Sequence, residues 1–304
     1  MYRLPVSVIM LTLNVDYHLA EAIKNIKPWS SGIFILDSCS TDRTVDIALQ
    51  HGVNIAQRRF TNFGDQWNFA LEHFPVTTPW TMKLDPDERV TPKLMEEIGQ
   101  AIQCPDSASG YDVPIRAWFM GKPLRPSIRV TRLWRTGQCK FSDVIVNEHM
   151  VIHGKIGHLK NFIEHHDSPD LTHWMDKQNR YTTMEAIMKT KRHDLPIPPK
   201  LFGNKLERRM FFKKHFNRIP FRYIIYWIYL MMIRGAWRDG VAGTHWTRLR
   251  VEVLRMIELK AQEMLRTGRI PEVPRAPSGG FDPRVLSSDL QQSVMLSAQW
   301  EKNG

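Results

Sequence analysis

Four short apolar runs punctuate the first 84 residues: Val6–Leu11 (VSVIML), Ile33–Leu36 (IFIL), Val53–Ala56 and Trp80–Leu84. Between them lie segments of helical spacing, at 17–26 (Leu19, Ala22, Ile23, Ile26), 41–50 and 64–73. Short continuous apolar runs fit strands covered on both faces, and the intervening helices supply the cover. Thr91-Pro92 then opens a helix over 92–103, with Thr as cap and Pro at the first helical position. Alternation of this kind predicts an α/β chain with a parallel-type sheet. Ligands of such sheets sit beyond the carboxyl ends of the strands, so polar residues there are the candidates.

Residues 111–160 read as shorter β pieces, expected to run antiparallel and complete a mixed sheet. From about 170 the pattern turns helical, broken at Pro196, Pro198 and Pro199. The expected organisation is a catalytic domain over 1–165 (donor side 1–105, acceptor side 106–165), a basic helical region over 166–269, and a tail over 270–304. Charge divides the same way. Residues 1–165 hold 18 Lys and Arg against 17 Asp and Glu, whereas 166–304 hold 24 against 14. A basic half seeks phosphates, of nucleic acid or of anionic lipid. Three cysteines without metal spacing argue against a disulfide scaffold or structural zinc. The N-terminus reads as a strand and not a signal peptide, so a reducing cytoplasmic setting is expected.

Two strand ends carry carboxylates. Asp85-Pro86-Asp87 follows WTMKL. In an extended chain, residues two apart share a side, and two carboxylates together suit Mg²⁺ or Mn²⁺. Asp37 opens DSCSTDRT, where Ser40 or Thr41 is expected to cap the next helix. Asp37 precedes that cap and could bond a ribose hydroxyl or a base N–H. Arg129, Arg132 and Arg135 lie on SIRVTRLWR. Either Arg129 aids a diphosphate or an anionic acceptor, or the three make a basic strand face towards solvent. Six histidines crowd 149–173 without zinc partners at motif spacing.

Taken in order, VSVIMLTLN, FILDSCSTDRTVDIA, FGDQWNFAL, LDPDERV and VNEHM resemble family 2 glycosyltransferases of the GT-A fold, in particular the lipopolysaccharide-core glucosyltransferase-like branch. The resemblance covers roughly residues 5–185. It implies an inverting, metal-dependent hexosyltransferase that moves a sugar from a nucleotide-sugar donor to a lipid-linked or glycan acceptor. It implies donor contacts at Asn14, Asp37, Gln66, Asn68 and Asp85, to which Arg129 is added as a donor candidate from its place on SIRVTRLWR. It implies metal ligands at Asp85 and Asp87, with His165 as a late contact, and a catalytic base at Glu148. The chain departs from the branch at Asn147, where His is usual, at Cys39, where Gly is common, and at Asn14-Val15, where Asn-Glu is usual.

Two other classes compete. A nucleic-acid binder would use the same basic half, but the run YIIYWIYLMMI (223–233) mixes aliphatic and aromatic residues, unlike separated stacking platforms. A sugar-nucleotide-forming nucleotidyltransferase wants an early Gly-rich phosphate loop, and residues 5–30 contain no glycine. Residues 200–222 hold eight Lys and Arg against Glu207 alone, just before that run. Eleven residues reach about 16 Å, half of a ~30 Å bilayer core. The expectation is therefore a helix lying on an anionic membrane surface, at the inner face of the plasma membrane. The alternative is a buried core helix with a solvated basic neighbour.

Overall fold

The computed structural model describes residues 3–104, 108–141, 150–190, 202 and 219–271. The chain forms two compact units. The first comprises the described parts of Met1–Trp118 and Ser127–Asp167, the second those of Phe119–Pro126 and Ser168–Pro274.

In the first unit, strand and helix alternate in chain order: β1 (Leu4–Thr12), α1 (Asp16–Ile26), β2 (Ser30–Asp37), α2 (Thr44–Gln50), β3 (Asn54–Gln57), α3 (Phe63–His73), β4 (Trp80–Lys83), β5 (Glu88–Val90) and α4 (Pro92–Gln103). Then follow β6 (Gly110–Phe119), β7 (Lys122–Arg135), β8 (Cys139–Phe141), β9 (Met150–Ile152), β10 (Ile156–His158) and β11 (Ile163–His165). Among the described residues, the main sheet runs β3-β2-β1-β4-β7-β6-β11-β5, with β10 also paired to β6. β1, β2, β3 and β4 are mutually parallel, while β7 runs against β4 and β11 against β5. This is the mixed α/β sheet that the periodicity predicts. The later strands are not uniformly antiparallel, because β10 and β11 both lie parallel to β6.

The central strand shows why its run is apolar but for Ser7, which is buried and accepts the Thr78 hydroxyl at 2.8 Å. Val6, Val8 and Met10 enter one core with Leu19, Ile23 and Ile26 of α1. Ile9 enters the other, with Trp67, Phe69 and Ala70 of α3, and Leu11 packs against it. Alternate residues of one strand thus serve two cores, and a polar residue in either set would be buried. The α4 cap is as expected: Thr91 accepts the Leu94 N–H at 3.2 Å, and Pro92 opens the helix.

The second unit is helical. α5 (Leu171–Thr190) packs on a long helix, Gly240–Thr267, around Ala186, Ala261 and Met264. Lys260 of the long helix joins the pair by donating to the Asn179 carbonyl and to the Thr182 and Thr183 hydroxyls at 2.8–2.9 Å. A shorter helix, Arg222–Ile228, runs into a π turn, Tyr229–Ile233, and a 3₁₀ turn, Ala236–Asp239, precedes the long helix. No described helix is long and apolar enough to cross a membrane. Pro196, Pro198, Pro199 and nearly all of the basic stretch before 219 lie outside the described residues, as does the tail beyond 271.

Candidate active site

The carboxyl ends of β1 and β2 are laced together. Thr12 and Asp37 are register partners, and the Thr12 hydroxyl donates to Asp37 Oδ1 at 2.8 Å. Ser40 adds its hydroxyl at 2.5 Å and its N–H at 2.8 Å, and Gln57 Nε2 adds a fourth bond at 3.0 Å. Asp37 is fully buried, and both of its oxygens are engaged by neutral donors of this chain. It shapes the loop between β2 and α2, and a donor could reach the carboxylate only by opening that loop. Asn14, at φ +52, accepts the Thr41 N–H at 2.8 Å and gives its own N–H to Ser40 Oγ.

The expected cap at Ser40 or Thr41 is not made. Ser40 is spent on Asp37, so α2 starts at Thr44, whose N–H goes to Asp42 Oδ1 at 2.9 Å. Cys39 sits at φ +62, the left-handed region that favours glycine. A side chain there strains the backbone by about 1–2 kcal/mol.

Gln66 and Asn68, on α3, face different tasks. Gln66 is buried, bonds Ser38 Oγ at 3.2 Å and accepts from Arg58 at 2.7 Å. Arg58 also holds Asp65 and lies 4.7 Å over the Phe69 ring. Asn68 donates to the Phe141 carbonyl and accepts its N–H, both at 2.9 Å, acting as one more strand residue beside β8.

The β4 end is different in kind. Residues 85–88 form a β-turn, with the Glu88 N–H on the Asp85 carbonyl at 2.9 Å and proline at the second position. The extended geometry expected for Asp85-Pro86-Asp87 is therefore absent, and the two carboxylates diverge. Asp85 takes a bond from Arg132 at 2.8 Å. Asp87 meets His165 Nε2 at 3.1 Å.

Pairing of β5 with β11 makes the second contact. Glu88 lies opposite His165, and the His166 N–H clamps the Asp87 carbonyl at 2.7 Å. Asp167 then approaches His165 Nε2 to 3.9 Å. One ligand atom from each of Asp87, His165 and Asp167 lies within 4.8 Å of the others. The donor set fits a divalent cation: carboxylates suit Mg²⁺ and Mn²⁺, and the imidazole tilts the set towards Mn²⁺.

The electrostatics follow. Burial pushes the His165 pKa down, but the hydrogen bond to Asp87 and the charges of Asp87, Glu88 and Asp167 outweigh it and raise it to about 9. Protonated His165 thus neutralises the carboxylates. A divalent cation on the same atoms would displace that proton.

Behind them, Arg132 also bonds buried Glu88 at 2.5 Å. Burial pushes Glu88 up to about 7 against the pull of Arg132, while for Asp85 Arg132 and Lys83 overcome burial and hold it below its ordinary value. Arg132 pulls both carboxylates down, and the burial of Glu88 with the like charge of Asp85 beside it sets the two apart. Lys83 is itself buried, 4.5 Å from the Trp67 ring centroid and 5.4 Å from that of Phe141.

The structure thus brings Asp87 and His165 together, adds Asp167, and leaves Asp85 on Arg132. Arg129 is exposed and bonded to the Leu159 carbonyl at 2.7 Å. A solvent-facing row of three arginines is not found. Arg132 is buried, and Arg135 packs 5.0 Å from the Trp80 ring centroid. A spacing of three on a strand already puts Arg132 on the other side from its neighbours. Asn147 and Glu148 lie outside the described residues. Asp167, Arg132, Glu88 and Lys83 were not picked out in the sequence as site residues, and only the strand parity of Arg132 gave a signal.

Residues 7–138 match the family described as Glycosyl transferase family 2. The chain is also similar along most of its length to two proteins. One is the lipopolysaccharide core biosynthesis glycosyltransferase LpsC of Rhizobium meliloti, at 25% identity over 79% of this chain and 86% of the relative. The other is the uncharacterized glycosyltransferase RP128 of Rickettsia prowazekii, at 24% identity over 86% and 90%. Its fold is that of GT-A enzymes. The mannosyltransferase PcManGT of Pyrobaculum calidifontis, solved with GDP-Man and Mn²⁺, superposes with a TM-score of 0.52 over 86% of this chain and 88% of that one, at 13% identity.

Proposed function

We propose that this protein is a metal-dependent, inverting hexosyltransferase. It takes a nucleotide-sugar donor and glycosylates a lipid-linked or lipopolysaccharide acceptor at the cytoplasmic face of a membrane. The observation that carries the reading is the convergence of Asp87, His165 and Asp167 beyond the β4 end of a GT-A sheet. The relative's role in lipopolysaccharide core synthesis supports the acceptor class.

In this reading Asp87, His165 and Asp167 hold Mn²⁺ or Mg²⁺. Bound there, the cation supplies positive charge against the diphosphate that leaves as the anomeric carbon is attacked. Arg132 and Lys83 offset the charge of the adjoining turn and keep Asp85 ionised. The loops at the β1 and β2 ends, tied through Asn14, Ser40 and Asp37, form the floor for the nucleoside, bordered by Gln66. Glu148 acts as general base, taking the proton of the acceptor hydroxyl on the side opposite the leaving group. One displacement inverts the anomeric centre.

The test is a donor panel with Mn²⁺, Mg²⁺ or EDTA, followed by transfer and donor-binding assays. Glu148→Gln keeps size and shape but cannot accept a proton. It should lower kcat by ~10²-fold or more while donor affinity changes little. Loss of donor affinity with kcat intact would make Glu148 a binding residue. Activity unchanged by EDTA would remove the metal from the reading.

A further inference from the structure

The second unit displays what the first hides. Phe221, Ile224, Ile225, Ile228 and Met232 recur at the spacing of one helical face, and all are exposed, Phe221 by 77% and Met232 by 61%. In a soluble helix such a stripe turns inward. Here the other side of the helix is the anchored one. Arg222 bonds both oxygens of Glu258 on the long helix at 2.6 Å, and the Tyr223 hydroxyl bonds the same carboxylate. Leu230 and Met231 are buried. The π turn adds a residue, and Met232 and Ile233 both stay outward. Exposed apolar surface continues at Trp237 and Val241. Of the run 223–233, Leu230 and Met231 meet the buried-core alternative, while the helix Arg222–Ile228 buries none of its residues.

We infer that this outward stripe is a docking face that lies in the interfacial layer of an anionic bilayer. Charge identifies the occupant. Arg234 and Arg238 flank the stripe, with the Arg238 guanidinium 5.1 Å from the Trp237 ring centroid. Residues 200–221, leading into the helix, carry seven Lys and Arg against one Glu. The nearby acids are spent internally, Asp239 on the Arg125 N–H at 2.8 Å and Glu258 on Arg222. A second copy would set like charge against like, whereas anionic headgroups bring the opposite sign. Trp227, Tyr229 and Trp237 supply the amphipathic rings that settle at headgroup level. Seven α-helical and five π-helical residues reach under ~20 Å, so the element lies in the surface and does not cross it.

The experiment is co-sedimentation of the full chain with phosphatidylcholine vesicles, with and without phosphatidylglycerol. No sugar donor is needed, so the outcome is separate from that of the transferase reading. Wild type is expected to bind the anionic vesicles and to release in high salt. The double variant Ile225→Glu/Ile228→Glu changes two exposed positions and is expected to keep its circular dichroism while its partition falls by ~10-fold or more. Quenching of tryptophan by brominated acyl chains gives a second readout in a near-native protein, expected for wild type and diminished in Trp227→Phe/Trp237→Phe. Equal binding of wild type and the glutamate variant would overturn the inference, as would no preference for anionic lipid. A concentration-dependent dimer that the glutamate variant abolishes would overturn it too, by assigning the face to a second copy.

Discussion

Asp37 and the Asp85–Glu88 turn both stand at the carboxyl ends of parallel strands, yet they are held by opposite chemistry. Asp37 is surrounded by neutral donors, two hydroxyls, a backbone N–H and an amide. Asp85, Asp87 and Glu88 are surrounded by Arg132, His165 and Lys83. Neutral donors fix a carboxylate in one geometry and add no charge. Carboxylates whose partner is a protonated imidazole leave a place where a metal cation can take over from the proton. In the proposed reading the β2 end is the shaped floor of the site and the β4 end its charged centre, although both begin as an aspartate at a strand end.

The largest expected effect falls on the charged end. Arg132→Met removes the only cation that hydrogen-bonds both Asp85 and Glu88 among the described residues. Buried Glu88 then loses its cation beside the partly exposed Asp85, and the fold should lose about 3 kcal/mol in urea or thermal unfolding, the low end for a broken buried pair. A loss below about 1 kcal/mol would show the Arg132 contacts to be incidental and erase the distinction between the two strand ends.

Next comes the division of labour inside the charged end. Asp167→Asn should weaken Mn²⁺ binding, read by calorimetry or by manganese paramagnetic resonance, by ~10–100-fold. Asp85→Asn should move it far less, since Asp85 faces Arg132 and stands outside the three-residue cluster. The reverse order would mean that the turn reopens to an extended pair when metal binds.

That turn is also where reading the sequence stopped short. Short apolar runs carried β1 to β4 and period-3.6 patterns carried α1 to α3 to within a few residues, because burial on both faces of the sheet leaves little choice of residue. The Thr91-Pro92 cap was legible for the same local reason. Asp85 and Asp87 were visible as a pair, but their common side rested on an extended backbone. Pro86 at the second position of a turn bends the chain there, and that signal was present in the sequence. Arg132 is 47 residues from Asp85, and Asp167 is 80 residues from Asp87. Both arrive through β7 and β11 pairing, which no local pattern encodes. The cap of α2 was misplaced because Ser40, a good capping residue, finds a carboxylate across the loop instead.

The smallest effect sharpens the neutral end. Asp37→Asn keeps the shape of the side chain but turns one acceptor into a donor. The Asp37 oxygens accept from Thr12 and Ser40 on one side and from the Ser40 N–H and Gln57 on the other. The hydroxyls can rotate and accept in turn, so the new amide is best placed towards them. The remaining oxygen then still serves the backbone N–H and Gln57. The net loss should be about 1 kcal/mol, at the low end for a disturbed buried hydrogen bond. Donor affinity should weaken with it, since a looser loop presents a poorer floor, and kcat at saturating donor should hold. If stability is untouched while donor affinity falls by ~10-fold, Asp37 contacts the nucleoside directly. The loop between β2 and α2 then opens on binding, and the contrast between the two ends narrows to their charge alone.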